Sequence, residues 1–90
     1  MKADRKNILN RLNRIKGQIS GIIKMVEDDK YCLDISSQIL AANAALKSTN
    51  REIISAHIKS CVADTFYIKD KKELEKKVEE IDELIKKIGR

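Results

Sequence analysis

Ile8, Leu12, Ile15, Ile19, Ile22 and Val26 follow one another at intervals of 4, 3, 4, 3 and 4. Only a helix of about 3.6 residues per turn gathers such a series on one face, and the alternation is that of a coiled-coil seam. It predicts a helix over about residues 4–27. A second series, Ile35, Ile39, Ala42, Leu46, Thr49, Ile53 and Ala56, keeps the same alternation, with Ile54, Ile58 and Cys61 widening the stripe. The chain has no proline, and no glycine stands between Gly21 and Gly89. One long helix over about 30–67 is therefore expected, with Asp28 or Asp29 in the EDDK break as its N-cap. Asp70 with Glu73 has the form of a capping box and opens a third helix, over about 71–89, bearing Leu74, Val78, Ile81, Ile85 and Ile88. Gly17 and Gly21 lie off the first stripe at a cost in helix propensity, which implies close approach by a neighbour.

The reading is an all-α, single-domain chain over residues 1–90, a three-helix protomer. A charged fraction of 37%, a hydrophobic fraction of 42% and no tryptophan fit helices better than sheets. A second helix of about 38 residues would run about 57 Å, more than its neighbours can cover. The uncovered stripe calls for another copy of the chain, and an antiparallel four-helix-bundle dimer is expected. No segment approaches the roughly 20 apolar residues of a membrane span, and MKADRKN lacks the apolar run of a secretory signal. The expected location is the cytoplasm, with both cysteines kept as thiols and no membrane partner.

The net charge of +5 is concentrated at one end. Residues 1–24 carry seven Lys or Arg against one Asp, which points to an anionic polymer or surface as partner. A solvated helix face is the plainer alternative.

AHIKSC, residues 56–61, holds the one histidine and one of the two cysteines. His57 and Cys61 are four apart and stack on one helix face, able to grip a soft metal ion but too few to enclose it. On an ideal helix Cys32 shares that face, lying within about 20° of both. It is also about 43 Å away along the axis, beyond reach of the same ion. Two such helices packed antiparallel about a two-fold axis near residues 45–46 would bring Cys32 of one protomer to His57 and Cys61 of its partner. The midpoint sequence AANAAL, residues 41–46, carries four alanines suited to close helix contact. Two thiolates and an imidazole suit trigonal Cu(I), whereas structural Zn(II) wants a fourth ligand. Cys32 falls in the first helical turn, where the dipole favours an anionic ligand. Taken singly, either cysteine reads as packing, since cysteine is among the most buried residue types.

NRLNRIKGQISGI (10–22), KYCLDI (30–35) and the spacing Cys32…His57…Cys61 resemble the copper-sensing transcriptional repressors of the CsoR family, over nearly the whole chain. The resemblance implies three-helix protomers forming dimers that pair into tetramers, binding operator DNA when metal-free and releasing it with Cu(I). It makes Cys32, His57 and Cys61 the metal ligands, and DNA the anionic partner. Arg11 matches a basic first-helix residue used for DNA, with Arg14, Lys16 and Arg51 as further candidates. Tyr31 matches a tyrosine, and Glu80 or its neighbour Glu79 a third-helix glutamate, that surround the histidine in the copper sensors. Nickel/cobalt-sensing relatives add an N-terminal histidine and replace the last cysteine with histidine; this chain does neither. Persulfide sensors keep both cysteines but lack the histidine, so His57 directs the expectation to Cu(I). Two rival readings are a persulfide-responsive repressor using Cys32 and Cys61, and a structural coiled-coil interaction module. Catalysis is not expected, since no CxxC spacing is present and the one histidine has no positioned catalytic partner in the sequence.

Overall fold

A computed structural model describes residues 1–88, apart from the side chain of Ile88, as three α-helices: α1 (Arg5–Glu27), α2 (Cys32–Thr65) and α3 (Lys71–Ile88). No strand occurs among the described residues. The expected extension of the third helix to Gly89 lies outside them. Two compact units can be recognised: Asp4–Asn50 is one, and the chain from Arg51 onward, together with Met1–Ala3, is the other.

Asp4 starts α1: its carboxylate accepts from Lys6 N (3.1 Å) and its carbonyl from Ile8 N (3.0 Å). The EDDK break works differently from the expectation. Asp28 and Asp29 do not cap α2; they terminate α1. The Lys30 amide reaches back to Met25 O (2.9 Å) and the Asp29 amide to Val26 O (3.1 Å), the paired bonds of a Schellman ending. Asp29 takes the left-handed position (φ 52°) that glycine usually fills, which aspartate tolerates better than most residues. With both aspartates so used, α2 starts from Tyr31, whose carbonyl accepts from Asp34 N and Ile35 N. At its far end α2 unwinds through tight bonds from Phe66, Tyr67 and Ile68 to the carbonyls three residues back. Asp70 caps α3 as expected, accepting from Lys72 N at 3.1 Å and Leu74 N at 3.0 Å.

The seams divide in a way their spacing does not foretell. In the first unit, Ile8 and Ile15 of α1 and Ala42 and Thr49 of α2 are buried, each pair seven residues apart. The Thr49 hydroxyl is satisfied by Ala45 O at 2.9 Å. Burial of each isoleucine contributes roughly 2 kcal/mol. The alternate members, Leu12, Ile19 and Val26 on α1 and Ile39 and Leu46 on α2, stay exposed. In the second unit the half-buried positions of α3 are Leu74, Lys77, Ile81 and Leu84, so Val78 and Ile85 of the expected stripe point away from the core. Neither Gly17 nor Gly21 is approached: a Cβ at either would meet nothing within 4 Å. The close neighbour those glycines implied is not found among the described residues.

Candidate functional site

The histidine face of α2 and the inward face of α3 meet within the second unit. His57 and Cys61 are one helical turn apart, which brings Cys61 Sγ to 3.4 Å from His57 Nε2. The same nitrogen lies 3.2 Å from Glu80 Oε1. Glu80 Oε2 is 3.7 Å from the Lys77 ammonium, one turn earlier on α3. The resulting chain of contacts runs Cys61–His57–Glu80–Lys77, with the thiol buried and the other groups part-exposed. Of the two glutamates the sequence left open, Glu80 is the one against the ring.

The hydrogen bond from His57, with the Lys77 charge as the second cause, holds the Glu80 carboxyl below its ordinary range. An ionised carboxylate can only accept, so Nε2 carries the proton and the ring lone pair lies on Nδ1. This arrangement is not that of a Cys–His–acid catalytic triad, in which thiol and acid take opposite ring nitrogens; here both share one. One donor atom each from His57, Cys61 and Glu80 can be chosen so that all lie within 4.8 Å of one another.

Cys32 and Tyr31 do not join this cluster. Cys32 is the first residue of α2 and is exposed, as is Tyr31 beside it. The structure thus brings together two of the three expected ligands and one of the two flanking residues. Lys77 was not singled out from sequence; the only available signal was its place three residues before Glu80 on a helix.

Expected DNA residues fall elsewhere. In the first unit a groove of about 450 Å³ between α1 and α2 is lined by Arg11 and Arg14, the amides of Asn7, Asn10 and Gln18, and Ser48 and Thr49. Arg11 is held in place by donating to Ser48 Oγ at 3.3 Å. No acidic residue is among the groove's lining residues, so it offers cations and N–H or O–H donors to an anion. Lys16 is exposed and does not line it; Arg51 is exposed and belongs to the other unit. Among the described residues, no helix is long and apolar enough to cross a membrane.

The chain thus has three helices, a thiol–imidazole pair on the long one and a basic groove beside the first. Residues 4–89 match the profile described as metal-sensitive transcriptional repressor, and the chain belongs to that family, the CsoR family that its motifs resemble. It is 48% identical over 61 residues to the copper-sensing transcriptional repressor CsoR of Bacillus subtilis, covering 68% of this chain and 60% of that protein. It is 43% identical over 56 residues to the copper-sensing transcriptional repressor RicR of Mycobacterium tuberculosis, covering 62% of this chain and 58% of that one. The matched segments therefore span about three-fifths of these relatives. The crystal structure of the copper-sensing repressor CsoR with Cu(I) from Geobacillus thermodenitrificans is similar at a TM-score of 0.77 and 38% identity, over 94% of this chain and 85% of that one. The nickel-responsive transcriptional regulator InrS is similar at 0.82 and 25%, over 98% and 96%. These relatives are regulators of transcription, not enzymes.

Proposed function

We propose that the protein is a Cu(I)-responsive repressor: metal-free, it binds operator DNA, and Cu(I) held by Cys32 of one protomer with His57 and Cys61 of the partner subunit releases it. The observation that carries this reading is the chain of contacts from Cys61 through His57 to Glu80, which ties a ligand pair on α2 to a carboxylate on α3. A thiol and an imidazole fit a soft ion, and Cu(I) supplies a centre that a further thiolate completes. The exposed Cys32, outside the cluster, is the donor left to provide it.

Glu80 fixes the ring tautomer and leaves Nδ1 free to ligate, so engagement of the ring is felt at α3. The exposed half of the seams (Leu12, Ile19, Val26, Ile39 and Leu46) supports assembly with a second copy, and Ala41 and Ala44 offer a close-approach surface near the two-fold axis. The groove holding Arg11 and Arg14 supports DNA as the anion, seated through backbone phosphates. Metal and DNA would then favour different arrangements of a dimer or tetramer acting in the cytoplasm. The identity to copper-sensing relatives favours Cu(I) over nickel.

The test is a Cu(I) titration, under anaerobic conditions, of the metal-free protein on a duplex it has selected from a random pool. Release complete at one Cu(I) per protomer is expected. Binding that persists at saturating Cu(I), or release by a persulfide donor with a Cys32–Cys61 link seen by mass spectrometry, would overturn the proposal.

A further inference from the structure

Glu80 poses a chemical question that the Cu(I) reading leaves open. His57, Cys61 and Glu80 can each offer one donor atom, a nitrogen, a sulfur and a carboxylate oxygen that lie within 4.8 Å of one another inside one protomer. Such a mixed set suits borderline divalent ions such as Zn(II) and Co(II), whereas Cu(I) prefers sulfur and imidazole and gains little from a carboxylate. A site dedicated to Cu(I) needs Glu80 close to His57 yet out of the coordination sphere.

The contacts around Glu80 do this. Oε1 accepts from His57 Nε2 at 3.2 Å, and Oε2 faces the Lys77 ammonium at 3.7 Å. One oxygen accepts a hydrogen bond and the other is ion-paired. Lys77 is among the half-buried positions of α3, with Leu74, Ile81 and Leu84, so its stem runs along the helix's inward side while its head meets the carboxylate. Its charge also stands beside the donor set, opposing a dication more strongly than a monocation.

We propose that Lys77 is a selectivity residue: it holds the second oxygen of Glu80, keeping that carboxylate an acceptor for His57 and not a metal ligand, so that the site takes Cu(I) and rejects borderline divalent ions. This rests on the Cu(I) reading above and names the residue that discriminates. The ion pair is part-exposed, so its effect is a bias of at most about fivefold, the upper end for such pairs.

Co(II) serves as the probe, because its thiolate charge-transfer band reports sulfur ligation and its d–d intensity reports coordination number. The full-length wild type, Lys77→Met, Lys77→Arg and the double variant Lys77→Met/Glu80→Gln are titrated with Co(II), and separately with Cu(I) against a chelator. Lys77→Met is expected to bind Co(II) more tightly, by at most about fivefold, and Lys77→Arg like the wild type. The double variant should lose the gain, and Cu(I) affinity should stay within about twofold of wild type in the two Lys77 single variants. An unchanged Co(II) affinity in Lys77→Met, or a gain that survives in the double variant, overturns the assignment. Failure of the wild type to bind Cu(I) would instead strike the repressor reading, and the Co(II) series would still decide the role of Lys77.

Discussion

The two cysteines of this chain sit near opposite ends of one helix in opposite conditions. Around Cys61 polar groups are gathered: a buried thiol, an imidazole at 3.4 Å, a carboxylate beyond it and an ammonium facing the carboxylate. Around Cys32 there is no such gathering: the thiol is exposed, Tyr31 beside it is 61% exposed, and among the described residues no side chain bonds to either. A lone exposed thiol at a helix start is a poor metal site, and a buried Cys–His pair is an incomplete one. Under the proposed Cu(I) reading, the contrast assigns one end to orient the ion and the other to complete its coordination.

The largest effect should come from breaking each end in a separate protein. Cys32→Ser and Cys61→Ser variants are each expected to lose tight Cu(I) binding. When the two are mixed and allowed to exchange subunits, each mixed dimer regains one intact site, made of Cys32 from one chain and His57 with Cys61 from the other. Random exchange makes half of the dimers mixed, so tight binding at about one quarter of the wild-type stoichiometry is the expected readout in a chelator competition. No recovery at all, with exchange verified by mass spectrometry, breaks the picture of complementary ends.

A smaller effect belongs to the far side of the prepared end. Glu80→Gln keeps the shape of the side chain but removes the charge that fixes the His57 tautomer. Loss of such a partner typically weakens metal affinity by about 10–100-fold. The Cu(I) needed to release DNA should rise at least as much. A variant indistinguishable from wild type in both measurements would mean that the contact to α3 is incidental. Arg11→Ala and Arg14→Ala sharpen the separation of roles from the other direction. Each should reduce the slope of log affinity for DNA against log salt by about one while leaving Cu(I) affinity alone.

How far the sequence foretold this is instructive at particular positions. The 4–3 spacing specified helices, because periodicity alone reports a face. It could not report which half of each seam turns inward: Ile8 and Ile15 are buried while Leu12 and Ile19, of the same series, are not. That choice depends on where the neighbouring helix sits, information no single helix carries. The ending of α1 was misread because a left-handed aspartate leaves no glycine to see; Asp29 looks like an N-cap in sequence and is a C-terminal residue in structure. The His57–Cys61 pair was legible because four residues is one turn. Glu80 was legible only to within a residue, and Lys77 not at all, since both depend on the rotation of α3, whose half-buried set is Leu74, Lys77, Ile81 and Leu84.

Stability separates the two ends by less. Cys61 is 5% exposed, so Cys61→Ala leaves a small cavity and should lower unfolding free energy by about 1 kcal/mol. Cys32→Ala removes an exposed group and should stay within about 0.5 kcal/mol of wild type. Denaturant melts of the metal-free proteins measure both, and equal losses would mean that Cys32 is covered in the assembled state before any metal arrives.

The smallest effect is the pH dependence of the prepared end itself. Glu80 is held below its ordinary pKa, first by the hydrogen bond from His57 and then by the charge of Lys77. A carboxylate whose folded pKa is depressed contributes stability that is present above its unfolded pKa and is lost as pH falls through the folded one. The wild type should therefore hold a small margin over Glu80→Gln that narrows in acid, below the usual glutamate range, and closes once the carboxylate is protonated. The group is solvent-exposed, so the margin is slight and best read as a difference in melting temperature between the two proteins at matched pH. A margin that grows in acid would have the opposite sign, and would mean that the folded protein prefers Glu80 protonated.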